Sequence, residues 1–122
     1  MNIDQYLATL DAKLHEMTGL VTSWSINRDV DIALGIGFIK GHMTFVDNSR
    51  LEFSEQLPIT RRKFRLHYMD ERDTLIMRWD SAPHHKDLST FPFHRHTPLG
   101  TEEHKAITLL EALDEIAKVL TK

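Results

Sequence analysis

The sequence predicts an α+β domain: an antiparallel sheet of about five strands with an N-terminal and a C-terminal helix packed on one of its faces. Three observations carry this. Apolar residues recur at spacings of three and four near both ends of the chain. Runs rich in β-formers, separated by turn residues, fill the middle. The length of 122 residues, with no internal repeat, suits one domain spanning 1–122.

The elements follow in order. Ile3, Leu7, Leu10, Leu14 and Met17 lie on one stripe, which predicts a helix over 3–17, with Gly19 at the stop position. Residues 20–26 and 34–46 read as strands. The second is interrupted by Gly35, Gly37 and Gly41, a sign of a bulge or a crowded face. Asp47-Asn48-Ser49 is a turn into a returning strand that begins over 51–53, and Pro58 ends that unit. Residues 64–69 and 74–80 form a hairpin around Asp70-Glu71-Arg72-Asp73. A four-residue loop pairs Tyr68 with Leu75, Leu66 with Met77 and Phe64 with Trp79, so one face is core, and the other sets Arg65 opposite Arg78. Residues 83–100 hold Pro83, Pro92 and Pro98 and read as an ordered irregular loop. Thr108 and Glu111 have capping-box spacing before the stripe Leu110, Leu113, Ile116 (or Ala117) and Leu120. Trp24 reads as core.

With no cysteine, disulfides, Cys-based zinc sites, thiol nucleophiles and iron–sulfur clusters are excluded. No apolar run reaches a membrane span and no basic-then-apolar leader opens the chain, so a cytoplasmic protein with no membrane contact is expected. The net charge of −3 is unevenly spread. Residues 58–100 hold eight Lys/Arg against five Asp/Glu and five of the eight histidines. A positive, titratable patch on an acidic protein is one reading of this, with an anionic partner to match; an ordinary solvated surface is the other.

The chemistry concentrates in Arg78-Trp79-Asp80-Ser81-Ala82-Pro83-His84-His85 and Thr90-Phe91-Pro92-Phe93-His94-Arg95-His96. Prolines stiffen both histidine pairs. Histidine near neutrality can take a proton from an attacking hydroxyl and return one to a leaving oxygen, and arginine stabilises charge on phosphoryl oxygens. Arg78, Asp80, His84, His85, His94 and His96 are therefore candidates for acid–base work on a phosphodiester, without metal or other cofactor. Asp80 would orient an imidazole. Arg61, Arg62, Arg65, His67 and Arg95 are candidates for binding an anion or nucleic-acid backbone. Two other readings remain open. His94 and His96 could join His84 or His85 and Asp80 around zinc, although the spacing matches no strong metal motif and no convergence of three ligands is expected. The histidines could also be structural, bonding backbone carbonyls. No P-loop, dinucleotide-binding glycine pattern or serine elbow is present.

These two blocks closely resemble the signature of a small bacterial and archaeal family that includes the TumE-type toxin–antitoxin proteins. Its pattern runs roughly Arg-Tyr-Asp-Asn-Ala-Pro-His-His and then Thr-Phe-Pro-His-His-Lys-His. Phe64-Arg65-Leu66-His67-Tyr68 and the C-terminal amphipathic helix are similar to it as well. Three positions depart: Trp79 stands for tyrosine, Ser81 for asparagine and Phe93 for a frequent histidine. The resemblance implies a toxin whose partner is a helix-turn-helix antitoxin encoded nearby. The expected reading is a toxin-like, metal-independent protein acting on RNA. One of His84 or His85 is the base, His94 or His96 the acid, and Arg78 the phosphate ligand. A homodimer is a further partner it allows. The alternative is a non-enzymatic module that binds protein or nucleic acid.

Overall fold

The computed structural model describes residues 1–58 and 63–122. Asn2 caps α1 (Ile3–Glu16): its side chain accepts the Gln5 N–H, and the Gln5 side chain accepts the Asn2 N–H in return. Seven strands follow, β1 (Val21–Asp31), β2 (Ile36–Phe45), β3 (Arg50–Leu57), β4 (Phe64–Met69), β5 (Leu75–Asp80), β6 (His94–Thr97) and β7 (Gly100–Glu103). The chain closes with α2 (Leu109–Leu120), whose first turn is held by the expected box between Thr108 and Glu111. The strands pair antiparallel in chain order, a meander from β1 to β7.

The α+β class and the two terminal helices stand as expected, and the sheet has seven strands rather than about five. The difference lies in 83–100, expected to be irregular, which supplies β6 and the first residue of β7. Pro92 precedes β6 by two residues and Pro98 sits in the turn after it, so neither removes a donor from the ladder. Pairing β6 to β5 also covers an edge that would otherwise expose unpaired backbone groups.

The helices pack on one sheet face. Tyr6, Leu10 and Leu14 from α1 meet Leu109, Ala112, Leu113 and Ile116 from α2 over Ile39, Met43, Leu51, Leu66 and Tyr68. Phe64 and Leu66 are buried on this face and Met77 packs at its margin, as the hairpin alternation requires. The register differs from the expected one. Leu66 pairs with Trp79 and Tyr68 with Met77, and a bulge between Tyr68 and Met69 brings Met69 opposite Leu75. A shift of two residues keeps every side chain on its face, so the core was foreseeable while the cross-strand partners were not. Arg65 therefore faces Asp80, and Arg78 faces His67. Trp24 is not core: it lies on the sheet's edge strand and is 49% exposed.

Glu55, in the middle of β3, is buried among apolar residues and binds both helices. Its Oε1 accepts the Tyr6 hydroxyl at 2.5 Å, and its Oε2 accepts the Leu109 N–H, at the start of α2, at 2.9 Å. A carboxylate at a helix N-terminus is favoured by the aligned peptide dipoles.

Gly41 explains the glycine interruption of β2. A Cβ there would lie 1.9 Å from the Ser25 carbonyl oxygen and 3.0 Å from the Phe53 ring, so only glycine lets β1 approach. Gly41→Ala is expected to cost about 1–3 kcal/mol through forced displacement of β1. Chemical denaturation of the variant checks this, and an unchanged midpoint would show that β1 yields freely.

Candidate functional site

Alternation leaves every second strand residue on the face away from the helices, and the registers align these into two polar rows. One runs Ser25, His42, Glu52, His67, Arg78, His96, Thr101; the other runs Asn27, Lys40, Ser54, Arg65, Asp80, His94, Glu103. Residues 78 to 96, scattered along the sequence, thus become neighbours through the β5–β6 ladder.

Asp80 is the hub. It is 6% exposed, and its Oδ1 lies 2.7 Å from His94 Nε2 and accepts the Ala82 N–H at 3.0 Å. Its Oδ2 lies 3.3 Å from Arg78 Nε and 3.6 Å from His96 Nε2. The Arg78 Nε, though within ion-pair distance, is too poorly aligned to count as hydrogen-bonded, and the His67 Nδ1 facing Arg78 is likewise buried without a partner. His94 is 2% exposed, with its Nδ1 2.9 Å from the Pro92 carbonyl. The His96 Nδ1 lies 3.0 Å from the Thr101 hydroxyl. His85, from the loop after β5, completes a triad of imidazoles: ring centroids are 4.8 Å apart for His85 and His94, 4.7 Å for His94 and His96, and 5.5 Å for His85 and His96.

On the other side of Asp80 lies a groove of about 460 Å³ in which Lys63, Arg65, Arg78 and His84 converge. It runs into a second groove of about 670 Å³ on the same face, past Phe38, Ser54 and Arg65 to Lys40, Arg50 and His42. Burial first, and then the Arg65 and Arg78 guanidinium groups, push His67 below the usual imidazole range; burial first, and then Arg78, do the same to His96.

Of the expected site residues, the fold gathers Arg78, Asp80, His85, His94 and His96 around one carboxylate and sets Arg65 and His84 in the adjoining groove, with His67 beside Arg78. Arg95 lies on the opposite face, ion-paired with Glu102. Arg61 and Arg62 lie outside the described residues. The absence of three converging metal ligands is corrected: the ligating atoms of His85, His94 and His96 lie within 4.8 Å of one another. Phe93 anchors the loop by stacking on Phe64, centroids 6.0 Å apart. Lys63 belongs to the basic run that also holds Arg65, whereas Phe38 was not singled out from the sequence. Phe38 could have been, since residue 38 shares the parity of Lys40 and His42 in one strand and so shares their face.

The chain matches the Toxin TumE family over residues 10–122. It belongs to that family. Both histidine blocks and the whole polar face lie within the matched span, and membership of a toxin family implies an antitoxin partner. No curated protein and no solved structure gives a significant match. Among the described residues, no helix is long and apolar enough to cross a membrane.

Proposed function

We propose that this TumE-family toxin acts on RNA by metal-independent phosphodiester cleavage at the groove beside Asp80, under the control of a helix-turn-helix antitoxin. The observation that carries the reading is the convergence of Lys63, Arg65, Arg78 and His84 in one open groove. Three fixed cations and an exposed imidazole make a binding set for a phosphate flanked by a proton carrier. Arg78 lines this groove, and its Nε has no hydrogen-bond partner in the protein.

In this mechanism Arg65 and Arg78 hold the non-bridging oxygens of the scissile phosphate. His84 takes the proton of the ribose 2′-hydroxyl. The freed oxygen attacks phosphorus, the bond to the 5′-oxygen breaks, and that oxygen takes a proton from the imidazolium or from water. The products are a 2′,3′-cyclic phosphate and a 5′-hydroxyl. Asp80 orients Arg78, and His94, buried behind it, holds Asp80.

The test is induced expression with RNA analysis. Wild type should arrest growth and cleave RNA in vitro. Arg78→Ala and His84→Ala should fold and lose about a hundredfold to ten-thousandfold in cleavage rate. The second reading, a non-enzymatic binding module with structural histidines, is favoured by one observation: both ring nitrogens of His94 face oxygen partners of its own chain. Folded His84→Ala protein that stays fully toxic would establish that reading instead.

A further inference from the structure

We propose that His85, His94, His96 and Asp80 form a closed site for a zinc-type transition-metal dication, which fastens the loop over 81–93 to β6. The site shares Asp80 with the neighbouring groove, but the ion takes no part in the chemistry assigned there.

The first support is geometric. A tetrahedral zinc with bonds of about 2.0–2.1 Å separates its ligand atoms by about 3.3–3.4 Å. The three histidines already bring theirs within 4.8 Å of one another, so each moves inward by less than about 1 Å to close on an ion. The rings stand edge to face, with interplanar angles of 64°, 66° and 82°, rather than stacked. That lets their nitrogens point at a common centre.

The second support is the set of partners behind the rings. A metal-binding imidazole normally engages its other nitrogen with a fixed acceptor, which sets the tautomer. The His94 Nδ1 meets the Pro92 carbonyl and the His96 Nδ1 meets the Thr101 hydroxyl. Both rings therefore turn Nε2 toward Asp80, at 2.7 and 3.6 Å. At His94 the consequence is sharper. A carbonyl cannot donate, so Nδ1 must carry a proton. The contact to Asp80 through Nε2 then needs a second proton, or a cation in its place. A dication satisfies the carboxylate and the imidazole together.

The third support concerns ligand type and charge. Three imidazoles and one carboxylate suit zinc and its first-row neighbours rather than magnesium or calcium. Asp80 has one oxygen for the ion and keeps the other for Arg78. Four protein ligands leave no open position, which is the pattern of a structural site.

The loop also needs such a fastening. Past Ser81, whose N–H donates to the Phe64 carbonyl, its backbone–backbone hydrogen bonds are short local turns, from His84 to Ala82, Leu88 to His85, Phe91 to Leu88 and Phe93 to Thr90. His85 would be the loop's own ligand, tying that stretch to two residues of β6.

The experiment uses untagged full-length protein stripped with chelator and titrated with zinc, then with cobalt as a spectroscopic substitute. Expected are one zinc per chain, a rise in melting temperature on zinc addition, and the intense visible absorption of tetrahedral cobalt. His85→Ala, in the loop, and His96→Gln should each weaken zinc binding at least tenfold, with folding checked by circular dichroism. If His96→Gln does not fold, His85→Ala decides. Folded wild type that takes up no zinc at micromolar concentration would overturn the proposal. So would zinc affinity unchanged in His85→Ala, or the weak absorption of six-coordinate cobalt. RNA cleavage separates this from the functional reading: metal-free protein that cleaves leaves that reading standing whatever the titration shows. Zinc bound by a His84→Ala variant that no longer cleaves supports both.

Discussion

Asp80→Ala is expected to abolish toxicity and to lower stability by about 3–5 kcal/mol, the range for removing one member of a buried charged network. The carboxylate is the shared partner of His94, His96 and Arg78, and it also caps the Ala82 N–H at the start of the loop. Without it, His94 keeps its Pro92 bond but loses the partner of Nε2 in a site closed to water, and Arg78 loses the only carboxylate within reach among the described residues. The loop and Arg78 then lose their positions together. Asp80→Asn separates shape from charge: it retains the volume and can accept the Ala82 bond, but presents no negative charge to Arg78. Toxicity lost in Asp80→Asn with stability largely kept places the charge in the site's function. Equal losses in both variants would reduce Asp80 to a fold determinant, and full toxicity in folded Asp80→Ala would remove it from the site. Denaturant titration and growth assays of the two variants give both readouts.

Glu55→Ala has an effect of similar size through a different route. It leaves the Tyr6 hydroxyl and the Leu109 N–H without an acceptor in the core, and it opens a cavity between both helices and the sheet. Two orphaned buried donors at about 1–3 kcal/mol each set the cost at about 2–6 kcal/mol. The same residue gives a pH signature. Burial, the dominant cause, raises the Glu55 carboxyl above its ordinary 4.5, against the lowering effect of the bonds from Tyr6 and Leu109. A carboxyl whose native value is raised binds its proton more tightly when folded. Its contribution to stability therefore grows as pH falls from the raised value toward 4.5, and shrinks as pH rises through that window. His67 and His96 act in the opposite sense: their native values are lowered, so their contribution is present above the ordinary 6.5 and is lost on acidification. Subtracting the stability profile of Glu55→Gln from that of wild type cancels the histidines and isolates the carboxyl. Parallel profiles between pH 4 and 8 would contradict the assignment.

The sequence by itself determined the elements whose signals are local. Both helices are legible because their stripes bury one face each, and the Thr108–Glu111 box spans only four residues. The core face of the β4–β5 hairpin is legible because a period of two survives any even shift in register. The two histidine blocks are legible because stiff prolines and imidazoles stand together in the chain. What only the tertiary structure decided is which of these groups meet. The pairing of β5 with β6 places Asp80 opposite His94 and Arg78 opposite His96, and no feature within 81–93 announces that ladder. The shifted register, with its bulge between Tyr68 and Met69, sets Asp80 rather than Arg78 opposite Arg65, which relieves the like-charge pair the simple register implied. Nothing in the sequence points to the partners of Glu55, which are 49 and 54 residues away and meet it only once both helices dock. Cross-strand partners and buried polar contacts depend on the competition among many registers and packings over the whole chain, and that competition is settled by the core as a unit rather than by any one segment.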